Sequence, residues 1–89
     1  MININVRNKL PPDTIVFDNQ TYDNSIIGVT FDSRAIYDYD LMVQELMEEG
    51  YSEEDAIDWI DYNTIRSLPY INGKRPIIMQ NMEGFYERI

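Results

Sequence analysis

The amino-acid sequence predicts an α+β fold, in which two consecutive helices pack on a small and mainly antiparallel sheet. Two observations support this prediction. Runs rich in β-branched and aromatic residues occupy the first part of the chain and recur near its end, and helical periodicity occupies residues 40–68 between them. A chain of 89 residues can bury one modest core, so we expect residues 1–89 to form a single domain.

The N-terminal part of the chain predicts two strands. Ile2, Ile4 and Val6 alternate with polar residues, which is the period of a half-buried strand. Two prolines end this run, and residues 14–17 form a second β-type run that leads into a turn. The clearest strand pair follows, at residues 26–31 and residues 35–39. Their three-residue gap suits a hairpin loop, so we expect antiparallel pairing there.

The first predicted helix begins at Asp40, where the hydrophobic period becomes helical. Gly50 is expected to end it, because glycine readily adopts the left-handed conformation that follows many helices. The other face of this helix is polar. The side that faces the core should consist of Met42, Val43, Leu46 and Met47.

The second predicted helix begins after Ser52, a good N-cap residue that is followed by three acidic residues. It should run to Ser67 or Leu68, because the proline that follows disfavours helical conformation in the residue before it. Asn72-Gly73 is a common hairpin turn pair, so we expect a hairpin that leads into a strand at residues 77–79.

A helical projection gives the second helix three faces. The apolar face, which should pack on the core, consists of Ala56, Ile57, Ile60, Thr64 and Leu68. The acidic edge consists of Glu54, Asp58 and Asp61. The third face lies roughly opposite the apolar face and consists of Trp59, Tyr62 and Arg66.

Trp59 is open to two interpretations. A large aromatic side chain in a small domain is usually buried, so the rest of the chain could cover it. Two aromatic residues and an arginine away from the core are also typical of an interface, which would make Trp59 and Tyr62 anchors for a partner. The same face could equally form a homodimer contact.

The negative charge of the chain is concentrated in one segment. Residues 38–61 contain ten carboxylates and no lysine or arginine, whereas the rest of the chain contains six acids and seven bases. The segment disfavours direct binding to nucleic acid or to an anionic membrane, and it favours a partner with a basic protein surface. One interpretation is a solvated face that keeps a small protein soluble. The more specific interpretation is a nucleic-acid mimic, whose ordered carboxylates occupy a basic groove of the partner that normally holds a nucleic-acid backbone.

The composition also excludes several kinds of chemistry. Neither cysteine nor histidine is present, which removes disulfides, thiolate nucleophiles and the usual zinc ligands. We expect no metal or other cofactor. We also expect no enzyme, because paired catalytic carboxylates need a substrate cleft that so short a chain rarely provides. No apolar run has the length of a signal peptide or a membrane span, so we expect a soluble cytoplasmic protein.

Residues 26–79 resemble a family of small proteins carried by phages, prophages and other mobile elements of Gram-positive bacteria. The most specific part of the resemblance is WIDYNTIRSLPY, at residues 59–70. The family has no assigned activity, so the resemblance supplies no functional residues. Its members are similar in kind to inhibitors of host defence, including anti-CRISPR proteins, several of which block the DNA-binding or PAM-reading surface of an RNA-guided nuclease.

The expected function is a non-enzymatic inhibitor of a bacterial defence nuclease, of the anti-CRISPR type, which acts in the host cytoplasm. The alternatives are a small phage accessory or regulatory protein-binding module and an antitoxin-like protein, and neither needs nucleic-acid mimicry. The predicted partner-binding residues are Glu48, Glu49, Glu54, Asp58, Asp61, Trp59 and Tyr62.

Overall fold

A computed structural model describes residues 6–82 and shows an α+β fold, in which helices pack on a three-stranded mixed sheet. The predicted combination of a small sheet with two consecutive helices is confirmed. In chain order, the regular helices and strands are α1 (Val6–Lys9), β1 (Ile26–Val29), β2 (Ala35–Asp38), α2 (Tyr39–Glu48), α3 (Glu53–Trp59) and β3 (Ile77–Met79).

The central strand of the sheet is β2. It pairs with β1 in antiparallel orientation, which confirms the predicted strand pair, and the register shifts between Ile26 and Gly28. A backbone hydrogen bond of 2.9 Å from Thr30 to the carbonyl of Arg34 closes the connecting loop. Ser33 adopts a positive φ of 68° in this loop, where the sequence offers no glycine for a left-handed position.

The third strand, β3, pairs with the other edge of β2 and runs parallel to it, with Ile36 opposite Ile77. The hairpin predicted at Asn72-Gly73 is therefore wrong. Helical conformation continues to Tyr70, which leaves no room for a strand before the turn. The chain instead reaches β3 through a crossover that contains both helices, as parallel pairing requires. The sheet thus has one antiparallel and one parallel pairing.

The end of α2 and the start of α3 follow the predicted capping, whereas the cap at the start of α2 was not predicted. Asp38 caps α2, since its carboxylate accepts the backbone N–H of Leu41 at 3.0 Å. Gly50 ends α2 with a φ of 111°, and the N–H groups of the three residues that follow the helix bond to carbonyls of its last turn. The Ser52 hydroxyl accepts the N–H of Asp55 at 3.1 Å and so begins α3 as expected.

The helical conformation that begins with α3 extends further than predicted. A π-helical turn at Ile60–Thr64 follows α3, and a 3-10 helix at Ile65–Tyr70 follows that turn. The predicted end at Ser67 or Leu68 is therefore wrong by two or three residues. Pro69 lies within the 3-10 helix, because the fixed φ of proline matches that conformation.

The N-terminal segment differs from its prediction. Ile2 and Ile4 lie outside the described residues, and Val6 belongs to α1 instead of a strand. Residues 14–17 are irregular, so the second predicted strand is wrong. The reason is visible at Phe17, whose N–H donates to the Tyr37 hydroxyl at 3.0 Å and whose carbonyl accepts the guanidinium of Arg7 at 2.9 Å. These side chains satisfy the backbone groups that a neighbouring strand would otherwise pair.

The core lies between the sheet and the helices. The predicted apolar face of the second helix is confirmed, because Ala56, Ile60 and Thr64 are buried and the other two members are half-buried against them. In α2, Met42 is fully buried, whereas Met47 is 42% exposed and was wrongly assigned to the core. Five residues separate the two methionines, so their side chains project about 140° apart around the helix axis.

The two methionines of α2 provide a matched test of the core. We expect Met42→Ala to lower the free energy of unfolding by about 2–5 kcal/mol, because it leaves a cavity at a fully buried site. Met47→Ala should change it by less than about 1 kcal/mol, since the side chain is partly solvated and alanine favours a helix. Urea denaturation followed by circular dichroism measures both, and equal losses would contradict this assignment of the core.

Tyr37, the buried tyrosine of β2, should make the free energy of unfolding fall at alkaline pH. Burial raises the pKa of Tyr37 to about 12, so the folded state favours the neutral phenol. The unfolded pKa is about 10. The contribution of Tyr37 to the free energy of unfolding is therefore complete below pH 10 and is lost as the pH rises toward 12.

Urea denaturation at several pH values between 8 and 11.5 measures this dependence. Burial also raises the pKa of Tyr22, so Tyr37→Phe should reduce the alkaline loss of stability without abolishing it. An identical alkaline loss in the native protein and in Tyr37→Phe would show that Tyr37 does not cause it.

Candidate functional site

The two aromatic residues predicted as anchors lie on the outer side of the helical layer. Trp59 is 43% exposed and Tyr62 is 66% exposed, so the described part of the chain does not bury either ring. Trp59 has an aromatic neighbour in Tyr51, with ring centroids 6.2 Å apart and ring planes inclined by 53°. Exposure of this kind fits an interface anchor, which stays a prediction.

A groove of about 550 Å³ opens beside these rings. It combines aromatic rings with carboxylates, because α3 places Asp55 one turn before Trp59 and Asp58 beside it. The side chain of Asn63 donates to the carbonyl of Trp59 at 3.2 Å and so follows the same face into the π-helical turn. The lining residues are Tyr51, Asp55, Asp58, Trp59, Tyr62 and Asn63. We call this the aromatic groove.

A second groove of about 370 Å³ adjoins the aromatic groove, because Asp58 and Tyr62 line both. Its other lining residues are Asp61 and Arg66. The guanidinium carbon of Arg66 lies 4.4 Å from the centroid of the Tyr62 ring, which is a cation–π contact within the chain. Asp61 accepts a hydrogen bond of 3.0 Å from the Tyr39 hydroxyl, which holds its carboxylate against α2.

The predicted site residues do not all lie together. The structure brings Asp58, Asp61, Trp59 and Tyr62 to the two adjoining grooves. Glu48 lines a separate groove with Gln44 and Met47. Glu49 accepts a hydrogen bond from the hydroxyl of Thr21, and Glu54 is exposed in the first turn of α3.

The acidic segment has both structural and solvent-facing members. Asp38 is buried as the cap of α2, and Glu45 accepts a hydrogen bond of 2.8 Å from the amide of Asn24. Seven of the ten carboxylates are exposed, and within residues 6–82 none of these seven lies within ion-pair distance of a lysine or arginine. The exposed members are Glu48, Glu49, Glu53, Glu54, Asp55, Asp58 and Asp61.

Three residues of the aromatic groove were missed from the sequence. Asp55 and Asn63 each lie four residues from Trp59, so helical spacing would have placed them on the same face. Tyr51 precedes the cap of α3, and no periodic pattern reaches it. Its position depends on the turn after Gly50, which brings the chain back beside α3.

A second exposed surface lies on the sheet. Ile27 and Val29 alternate outward along β1, and Phe31 follows them with a fully exposed ring. Because β1 is an edge strand, its outer side has no neighbouring strand within the described sheet. This apolar strip was not singled out from the sequence.

In residues 6–82, no group of three or more acidic side chains could hold a metal ion, and no helix is long and apolar enough to cross a membrane. No protein-family model, curated protein or solved structure matches the chain. The resemblance to proteins of mobile elements therefore stays a prediction.

Proposed function

We propose that the protein is a non-enzymatic inhibitor of a bacterial defence nuclease and that it binds a basic surface of that nuclease. The observation that carries the proposal is the exposed acidic face that lines the two grooves. Its carboxylates, those of Asp55, Asp58 and Asp61, have no lysine or arginine partner within the described residues, and the exposed rings of Trp59 and Tyr62 lie beside them. Charge and exposed aromatic area together are typical of an electrostatically steered interface.

The spacing of the carboxylates supports nucleic-acid mimicry. Asp55, Asp58 and Asp61 occupy successive positions along the helical segment, where residues three apart lie roughly 5–6 Å from each other. A basic groove that binds a nucleic-acid strand presents lysine and arginine to a row of phosphates, with one phosphate per about 3.4 Å of helix axis on each strand. A row of carboxylates along one helical segment offers such a groove a repeated negative charge.

The resemblance to proteins of mobile elements gives the proposal its context. It favours an RNA-guided nuclease of the host cytoplasm as the partner, because such nucleases read the PAM with arginines and hold the nucleic-acid strands in a basic channel. In this mechanism the inhibitor occupies the channel, needs no cofactor and contacts no nucleic acid itself.

Charge reversal tests the proposal. We expect Asp58→Lys combined with Asp55→Lys to raise the inhibitor concentration for half-maximal inhibition at least tenfold, since close interfacial charges contribute roughly 1.5 kcal/mol or more each. Asp18→Lys combined with Asp32→Lys is the matched control, because it reverses the same number of exposed acids outside the segment. DNA cleavage by the purified RNA-guided nuclease measures inhibition, and circular dichroism verifies folding. Undiminished inhibition by the folded double variant would refute the mimic mechanism.

The apolar strip on β1 favours a second candidate function, a phage accessory module that binds a partner without mimicry. Exposed apolar residues on an unpaired edge strand are typical of a docking surface.

If the protein is such a module, Phe31→Ser should abolish capture of the partner in a pull-down from lysogenic host cells, and Asp58→Lys should have no effect. Capture through the strip should also survive high salt, whereas capture through the acidic face should weaken steeply.

A further inference from the structure

We infer that the aromatic groove binds an arginine side chain projecting from the surface of the partner. The inference rests on the proposed function, because it assumes a basic protein partner and names the group that the site accepts. It goes beyond general electrostatic attraction by assigning one side chain to one groove.

The lining of the groove matches the chemistry of a guanidinium group. The aromatic residues Tyr51, Trp59 and Tyr62 line the groove, and the carboxylates of Asp55 and Asp58 offer acceptors beside them. A guanidinium is planar, so it can stack on an aromatic face while its N–H groups donate to a carboxylate. An ammonium group is a compact point charge that cannot make both contacts in one plane.

The charges of the groove are available to a ligand. Asp55 and Asp58 are exposed, and within the described residues neither lies within ion-pair distance of a lysine or arginine. The side-chain amide of Asn63 carries no charge, and it donates to the carbonyl of Trp59. An arriving cation is therefore attracted to two carboxylates at once, close to exposed apolar area that it can cover.

The chain itself shows that Tyr62 can accept a guanidinium. Arg66 places its guanidinium carbon 4.4 Å from the Tyr62 centroid, in the adjoining groove. Tyr62 lines both grooves, so a partner arginine in the aromatic groove would lie near a ring that already makes this contact. The aromatic groove contains no arginine or lysine among its own lining residues.

The size of the groove and the net charge select among possible occupants. A volume of about 550 Å³ lies within the range of about 300–1,000 Å³ for ligand sites, so a side chain and its flanking backbone can enter. A second copy of the chain is disfavoured, because each copy has a net charge of −9 and this face would bring two acidic segments together. A basic partner segment is instead attracted by the same negative charges.

The single tryptophan provides a direct test, since Trp59 lines the groove and is the only tryptophan of the chain. The probes are blocked tripeptides, N-acetyl-Gly-Xaa-Gly-amide, in which Xaa is arginine, lysine or the uncharged isostere citrulline. They are titrated at constant ionic strength while tryptophan fluorescence is recorded. We expect the arginine peptide to bind several-fold more tightly than the lysine peptide and at least tenfold more tightly than the citrulline peptide.

Two variants that remove the same charge make the test specific. Asp58→Asn should weaken binding of the arginine peptide several-fold, and Asp18→Asn, an exposed acid outside the groove, should leave it unchanged. Equal binding of the arginine and citrulline peptides, or equal loss in both variants, would overturn the inference. So would a fluorescence change on raising the protein concentration alone, because it would indicate that a second copy occupies the groove.

The outcomes also separate this inference from the proposed function. If the protein binds arginine selectively but does not inhibit the nuclease, the arginine site is supported and the proposed inhibitor function is rejected. Inhibition that depends on Asp58, without selectivity for arginine, would support the inhibitor and reject the groove as an arginine site.

Discussion

A chain of buried contacts that begins at Tyr37 joins the three parts of the protein. Tyr37 lies on the central strand, and its ring centroid is 4.8 Å from that of Phe17 in the irregular N-terminal segment. Phe17 meets Tyr22 edge to face, and the hydroxyl of Tyr22 lies 3.3 Å from that of Thr64 in the π-helical turn. The sheet, the N-terminal segment and the helical layer are thus held in one arrangement by three aromatic rings.

This arrangement also determines which way the proposed binding face points. Because Ile60 and Thr64 are buried against the core, Trp59 and Tyr62 must lie toward solvent. The exposed carboxylates on the same side repel one another, and each neighbouring pair opposes helix stability by a few tenths of a kcal/mol. In the proposed complex a basic partner would relieve that repulsion, so the charges that weaken the free helix would strengthen the complex.

The sequence predicted correctly the features that depend on neighbouring residues, namely two helix caps and one apolar helix face. Ser52 and Gly50 were identified as helix caps because capping depends on residues within one helical turn. The apolar face of the second helix was identified because its hydrophobic residues recur with a regular helical period. Two of the failures depend on contacts between distant residues. The parallel pairing of β3 follows from how far the helical segment extends, and the irregular path of residues 14–17 follows from side chains that bond to Phe17.

The candidate site also contains residues that helical spacing could predict and one residue that it could not. Asp58, Trp59 and Tyr62 were identified as members of exposed helical faces, which spacing alone can reveal. Tyr51 could not be found, because a turn between two helices brings it to the groove. Glu48 and Glu49 were grouped with the site by charge, but α2 directs them to other neighbours.

The parallel strand has a consequence for the order in which the chain folds. Ile36 pairs with Ile77, whereas the β1–β2 hairpin joins residues fewer than a dozen positions apart. The hydrogen bond from Arg34 to the carbonyl of Arg75 spans 41 positions and closes the same long loop. Closing a long loop loses more chain entropy than closing a hairpin, so we expect β3 to join the sheet after the hairpin and the helices have formed. Substitutions in β3 should then mainly change how fast the native protein unfolds, and substitutions in the hairpin should mainly change how fast it folds.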